Sequence, residues 1–106
     1  MFNIWYSQVK YKIFTTTEFD DWLTEESARS RVQIADRLDK IKDEGYFGDH
    51  KKLRDNVWEL RWKNGRRIYY SLIPSQQVLL LIGGNKNGQT KVINQAEKIY
   101  MDWIDD

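Results

Sequence analysis

The amino-acid sequence predicts an α+β fold, in which an N-terminal α-hairpin and a C-terminal helix pack on a small antiparallel β-sheet of about four strands. Apolar residues recur at helical spacing near both ends of the chain, and short strand-like runs follow one another in the middle. The Asn64-Gly65 pair between two of those runs is a strong β-hairpin signal. At 106 residues the chain can form one modest core, so residues 1–106 are predicted to be a single domain.

The N-terminal part of the chain predicts a strand followed by two helices. Residues 9–13 alternate apolar and polar side chains, which indicates a half-buried strand. Thr17 is a suitable helix N-cap, and the acidic residues after it complement the positive N-terminus of a helix. Apolar side chains then recur at helical spacing through residues 34–41, up to Gly45, which favours a helix end. We therefore expect an α-hairpin, or one broken helix.

The rest of the chain predicts the sheet and a last helix. Residues 46–56 have no clear period and are predicted to form a loop. Residues 57–62 and 66–73 are predicted strands on either side of the Asn64-Gly65 turn. A turn, a central strand, a polar loop and an amphipathic helix follow, at residues 74–77, 78–82, 83–89 and 92–103.

The length of the hairpin loop decides which side chains share a face of the sheet. A two-residue loop would mix charged and apolar side chains on both faces. A three-residue loop at residues 63–65 places Arg61 opposite Arg67, and it gathers an apolar set on the other face: Trp58, Leu60, Trp62, Ile68, Tyr70 and Leu72. Burying unpaired charge costs more than any turn preference, so the three-residue loop is predicted. It leaves an open face that bears Glu59, Arg61, Arg67 and Tyr69.

The formal net charge of +1 hides a strongly basic central block. Residues 15–49 carry ten acids and five bases, whereas residues 50–91 carry nine bases and two acids. Such asymmetry indicates an anionic partner such as nucleic acid, or else basic and acidic blocks that face each other across the fold. Charge alone leaves both interpretations open.

Residue types and motifs narrow the possible chemistry. The chain has no cysteine and one histidine, His50, and it has no HExxH, Walker or GxGxxG motif, so no metal and no cofactor is expected. No signal peptide is visible, and the longest apolar run is too short to span a bilayer, so we expect a cytoplasmic protein without membrane contact. The remaining Arg, Lys, Tyr, Gln and His side chains suit RNA cleavage by the substrate's own 2′-hydroxyl, or nucleic-acid binding without catalysis.

The sequence resembles the toxins of type II toxin–antitoxin modules in the RelE/ParE superfamily, and within it the HigB-like, addiction-module killer branch. The resemblance covers about residues 9–104. It rests on the order and spacing of five stretches: TEFDDWL at 17–23, GD at 48–49, LRDNVWELR at 53–61, GRRIYY at 65–70 and LLIGGNKNGQ at 80–89.

The resemblance implies a ribosome-dependent mRNA endonuclease that inhibits translation and is neutralised by a cognate antitoxin, a small helix-turn-helix protein of the HigA type. By position, Arg67 matches the family's arginine that contacts the scissile phosphate. Arg61 and Arg54 match basic residues of RelE-type and HigB-type toxins, respectively. Lys86 and Gln89 match the polar loop of the killer branch.

Further candidates complete the expected site. His50 and Tyr69 are candidates for proton transfer, as is Lys91. The expected RNA-contacting residues are Lys51, Lys52, Lys63, Arg66, Lys86, Gln89 and Lys91. Two rival functions share this fold or surface: inhibition of DNA gyrase, as in ParE-like members, and a non-catalytic module that binds nucleic acid or antitoxin. The three arginines at 54, 61 and 67 argue against the first.

Overall fold

The structure, a computed structural model, describes residues 10–105, so the first residue of the predicted N-terminal strand lies outside the described residues. The helices and strands in chain order are β1 (Lys12–Thr15), α1 (Thr17–Thr24), α2 (Ala28–Glu44), β2 (His50–Arg54), β3 (Val57–Arg61), β4 (Arg66–Ile73), β5 (Gln77–Asn85) and α3 (Gln89–Ile104). A 3₁₀ turn, Lys86–Gly88, precedes α3. No helix within residues 10–105 is long and apolar enough to cross a membrane.

The predicted α+β fold class is confirmed, with one more strand than expected. The strands form one sheet in the order β1-β5-β4-β3-β2, in which β1 pairs with β5 in parallel and the other neighbours are antiparallel. The fifth strand, β2, lies in the segment predicted to be a loop. It is an edge strand of mostly exposed polar residues, so it carries no apolar alternation that could have revealed it.

Two helices form the predicted α-hairpin. The N-cap of α1 is Thr16 and not the predicted Thr17: the Thr16 hydroxyl oxygen accepts a hydrogen bond from the Phe19 amide at 3.0 Å. The same hydroxyl donates to the carbonyl of Leu81 at 2.7 Å, which ties the helix start to the sheet. Helix α2 ends at Gly45, whose φ of 71° is the left-handed conformation that glycine adopts easily.

The sheet buries side chains on both faces. The α1–α2 side packs Phe19, Ile34, Ile41, Leu60, Ile68, Tyr70, Val78 and Leu80. The α3 side packs Val57, Tyr69, Leu79, Leu81, Ala96 and Ile99. Strand β5 is therefore apolar on both faces, and each face needs a helical cover.

The predicted hairpin register is confirmed, but the predicted open face is wrong. Arg61 pairs with Arg67 and Glu59 with Tyr69, around the three-residue loop at residues 63–65. However, α3 packs over this face and leaves Glu59 and Tyr69 fully buried. Alternation along a strand determines which side chains share a face; it does not show whether a distant helix covers them.

Candidate functional site

The β3–β4 hairpin brings two arginines together at the turn end of the sheet. Gly65, with a φ of 99°, makes the left-handed bend, and its amide donates to the Trp62 carbonyl at 3.1 Å. The Trp62 amide then donates to the Arg66 carbonyl at 3.0 Å, which closes the hairpin. This geometry leaves Arg61 and Arg67 directly opposite each other on the α3 side.

A buried carboxylate stands between the two arginines. The side chain of Glu59 is 1% exposed, and its Oε2 lies 3.6 Å from Nε of Arg67, while its Oε1 lies 4.0 Å from Nε of Arg61. The side-chain amide of Gln89, in the first turn of α3, donates a hydrogen bond to the same Oε2. We call Glu59, Arg61, Arg67, Tyr69 and Gln89 the Glu59 cluster.

The two arginines of the cluster differ in their access to solvent. The side chain of Arg61 is 35% exposed, and its Nη2 and Nε lie 3.2 and 3.3 Å from Oδ1 of the exposed Asp49. The side chain of Arg67 is 14% exposed, and its Nη1 donates to the carbonyls of Trp62 and Arg66 at 3.2 and 3.0 Å. Arg61 therefore faces solvent, whereas Arg67 is anchored to the hairpin backbone.

Tyr69 lies beneath the arginines, in the interior. Its hydroxyl oxygen is one of three buried polar atoms in the cluster without a hydrogen-bond partner, the others being Oε1 of Glu59 and Nε of Arg67. Burial, and then the neighbouring Glu59 carboxylate, raise the pKa of Tyr69 well above its ordinary value. The phenol is therefore neutral at physiological pH and lies out of reach of a ligand on the surface.

His50 lies on the other face of the sheet from the cluster. It pairs with Leu60, whose side chain belongs to the α1–α2 side, and its ring lies 6.0 Å from that of Trp58. Lys52 shares that face, with its Nζ 5.9 Å from the Trp58 ring. The structure therefore does not bring His50 together with the arginine pair.

Two other arginines expected in the site hold helices against the sheet. Arg54 donates to Glu97 of α3 at 2.9 Å and also to Asn94 of α3. The nearly buried Arg66 donates to Ser30 and Gln33 of α2 at 2.8 and 3.2 Å. Their guanidinium groups make these contacts within the fold, and their predicted role toward RNA stays a prediction.

The expected lysines are exposed, and two of them lie in loops at the hairpin end of the sheet. Lys63 belongs to the hairpin loop, and the Lys86 amide donates to the Gly65 carbonyl at 3.0 Å. Lys51 lies opposite Glu59 on the edge strand, and Lys91 is in the first turn of α3. Exposed lysines thus occur on several of the strands and loops that adjoin the Glu59 cluster.

Sequence reasoning did not single out Glu59 or Asp49 as site residues. The sequence signal for Glu59 is an acid that faces inward in a strand, within the apolar run Trp58-Glu59-Leu60. A buried acid requires basic partners, and both arginines of the hairpin supply them. No sequence pattern reveals Asp49, because its contact with Arg61 depends on how β2 pairs with β3.

Solved structures of RelE toxins share this fold. An E. coli RelE mutant in the free state superposes with a TM-score of 0.68 at 17% identity, covering 84% of this chain and 96% of that chain. The toxin–antitoxin complex RelBE2 from Mycobacterium tuberculosis gives 0.60 at 18% identity, covering 74% and 93%. The RelB–RelE complex from Methanococcus jannaschii gives 0.60 at 13% identity, covering 74% and 96%. The RelE-like fold expected from the sequence is confirmed.

Sequence comparison identifies the family. Residues 21–101 match the family described as Phage derived protein Gp49-like (DUF891). An uncharacterized protein of Haemophilus influenzae is 37% identical over 89 residues, which are 81% of this chain and 89% of that relative. The chain belongs to the phage-derived Gp49-like family. The resemblance to the RelE/ParE superfamily is confirmed, whereas the finer assignment to the HigB-like branch stays a prediction.

Proposed function

We propose that this protein is the toxin of a type II toxin–antitoxin module and acts as a ribosome-dependent mRNA endonuclease that needs no metal. One observation carries the proposal: Arg61 and Arg67 lie opposite each other at the rim of the sheet in a RelE-like fold. The exposed Lys63 and Lys86 lie in loops at the same end of the sheet, and they would add positive charge for an RNA backbone.

The arrangement suits cleavage by the substrate's own 2′-hydroxyl. That oxygen loses its proton to water and attacks the adjacent phosphorus, and a pentavalent phosphorane forms. The bond to the 5′-oxygen of the next nucleotide then breaks, which leaves a 2′,3′-cyclic phosphate and a 5′-hydroxyl that takes its proton from water. Negative charge grows on the phosphoryl oxygens, and Arg61 can contact them through two parallel N–H groups. Arg67, fixed behind it, adds positive potential. We assign neither Tyr69 nor His50 to the reaction, because the first is buried and the second lies on the opposite face.

A cognate antitoxin follows from the same proposal, because a free toxin would arrest its host. RelE-type neighbours of known structure were solved as complexes with RelB antitoxins. The partner of this chain would be a small antitoxin encoded beside it, which we propose to be a helix-turn-helix protein of the HigA type. The other partners would be the ribosome and its mRNA.

The test measures growth and mRNA integrity together. The chain is expressed from an inducible promoter in bacterial cells, with and without the adjacent antitoxin gene, and mRNA 5′ ends are mapped. We expect growth arrest with codon-linked cuts, relieved by the antitoxin and absent with Arg61→Ala. The matched control is Lys98→Ala, which removes an exposed base of α3 that pairs with Asp102. Unchanged growth, or DNA damage without mRNA cuts, would contradict the proposal, and the second result would indicate gyrase as the target.

A further inference from the structure

Burying the Glu59 carboxylate costs free energy of folding in a small core. It is buried, its Oε1 has no hydrogen-bond partner, and its closest basic atoms lie at 3.6 and 4.0 Å, too far for good hydrogen bonds. Replacing imperfectly paired buried charges by apolar side chains is often neutral or stabilising. The charge of Glu59 therefore calls for an explanation other than folding stability.

The position of the carboxylate explains what it does to the arginines. Arg61 and Arg67 are like charges in directly opposed positions, and such pairs repel each other. Glu59 faces the Nε atom of each guanidinium from the interior side of the pair. It therefore offsets their repulsion and holds both guanidinium groups close to the interior, while Nε and Nη2 of Arg61 still reach an anion at the surface.

Asp49 marks where such an anion would bind. Its exposed carboxylate oxygen contacts Nη2 and Nε of Arg61 at 3.2 and 3.3 Å. A carboxylate and a phosphate present similar oxygen pairs to a guanidinium. The same arginine thus meets a buried anion on one side and an exposed anion on the other.

We propose that Glu59 is a positioning residue for RNA cleavage, which orients Arg61 toward the scissile phosphate and holds Arg67 behind it, without itself touching the phosphate. Gln89 contributes to this positioning, because its side-chain amide donates a hydrogen bond to the Glu59 carboxylate. The orientation of the arginines therefore depends on the first turn of α3. This proposal rests on the proposed ribonuclease function.

The decisive variant is Glu59→Gln, which keeps the shape of the side chain and removes its charge. Single-turnover cleavage on mRNA-programmed ribosomes should fall about 10- to 100-fold, the range seen when a group that orients a direct contact is lost. Ribosome binding should be unchanged or tighter, because the variant is more positive. Glu59→Asp should regain part of the rate, because it restores the charge at a greater distance from the arginines.

Two further variants separate positioning from simple support. Gln89→Ala leaves the carboxylate in place and removes one of its contacts, so it should lose less activity than Glu59→Gln. The double variant should lose no more than Glu59→Gln alone, because both changes act through one group. The matched control is Glu97→Gln, which breaks an acid–arginine pair at Arg54 and should leave cleavage unchanged.

The outcomes distinguish this proposal from the proposed function. If the unaltered protein does not cut mRNA on ribosomes, the proposed function fails. If it cuts and Glu59→Gln cuts equally fast, the function stands and the positioning role is excluded. A parallel loss of cleavage, ribosome binding and melting temperature would show that Glu59 only supports the fold. If Glu59→Gln does not fold, Gln89→Ala decides by the same split between rate and binding.

Discussion

Arg61 and Arg67 face one another across two strands, yet they have different physical roles. Arg67 is held by two backbone carbonyls and a buried acid, whereas Arg61 contacts an exposed acid at the protein surface. A guanidinium that is fixed before the substrate arrives needs no reorganisation during the reaction. A guanidinium at the surface, as in Arg61, can release the protein's own Asp49 carboxylate and bind a phosphate in its place. Arg67 thus supplies a fixed positive potential, and Arg61 supplies a contact that can change its partner.

Alanine at each position should therefore give different stability with similar loss of activity. Both variants should lose about 10²- to 10³-fold in cleavage rate, as when one preorganised electrostatic contact is removed. Arg67→Ala should also cost about 1–3 kcal/mol in the free energy of unfolding, because it leaves the Glu59 carboxylate buried with a partner missing. Arg61→Ala should cost under about 1 kcal/mol, as expected for an exposed ion pair. Urea unfolding checks both values; equal stability would show that Arg67 is not anchored as described.

The contact between Asp49 and Arg61 predicts a gain of function. Asp49→Asn removes the anion that competes with phosphate for Arg61, so affinity for single-stranded RNA should rise several-fold, with little change in stability for an exposed pair. The control is Asp39→Asn, an exposed acid of α2 that lies 4.0 Å from Lys42. Binding measured by fluorescence anisotropy at fixed salt should separate them. An equal increase in both variants would indicate a net-charge effect alone.

The hydroxyl of Tyr69 provides a test of its predicted catalytic role. It is buried without a hydrogen-bond partner, so Tyr69→Phe removes a desolvated polar group and keeps the packing of the ring. The free energy of unfolding should be unchanged or should rise by up to about 1 kcal/mol. Cleavage should stay within about threefold of the parent, because the buried hydroxyl does not reach the substrate. A threefold change in rate corresponds to only about 0.7 kcal/mol in the activation free energy. A loss of 10²-fold or more would show that the hydroxyl reaches the reaction.

At the scale of elements, local sequence rules predicted the hairpin and failed where a tertiary contact decides. The strand register around Gly65 could be deduced from the two possible loop lengths. A two-residue loop would mix charged and apolar side chains on both faces, whereas a three-residue loop keeps the charged side chains on one face. The edge strand β2 could not, because its His50-Lys51-Lys52 sequence lacks an apolar face. The loop predicted at residues 83–89 is also partly wrong, since β5 continues to Asn85 and α3 begins at Gln89. In the sequence, Gly83 and Gly84 indicate a loop, because the side chains that pack against them in the folded strand cannot be recognised there.

Gly83 shows this packing most directly. A Cβ atom there would lie 2.3 Å from the indole of Trp22, so the ring of α1 lies flat against the strand backbone. Gly83→Ala should therefore push α1 away and cost about 1–3 kcal/mol, the usual range for overpacking. Gly84→Ala is the matched control, because its Cβ would lie 3.5 Å from Val92, an ordinary contact. Thermal unfolding should rank the two; equal melting temperatures would contradict the close approach of Trp22.

At the scale of the whole molecule, the interpretation that basic and acidic residues face each other across the fold is partly right, whereas an anionic partner stays a prediction. Arg54 and Arg66 of the basic block pair with Glu97 and Glu26, which lie outside it, so part of the asymmetry is neutralised within the fold. Exposed lysines remain in the loops at the hairpin end of the sheet and along β2. Sequence composition predicted a basic surface, but the tertiary structure determines which bases belong to it.

Arg61 and the exposed lysines at the hairpin end predict a specific dependence of RNA affinity on salt concentration. If Arg61, Lys63 and Lys86 each contact one phosphate, the slope of log affinity against log salt should be about −2, from about −0.7 per contact for single strands. Affinity for an uncleavable 2′-deoxy-substituted oligonucleotide should then fall about 20-fold between roughly 50 and 200 mM salt.

Single lysine variants test which bases contribute to that slope. Lys63→Ala and Lys86→Ala should each make it shallower by about 0.7, because each removes one released counterion. Lys98→Ala should leave it unchanged, since Lys98 lies on α3 and pairs with Asp102. A slope near zero in the unaltered protein would exclude the hairpin end as the RNA-contacting surface. An equal change in all three variants would mean that the protein responds to RNA through its overall charge and not through the surface beside Arg61.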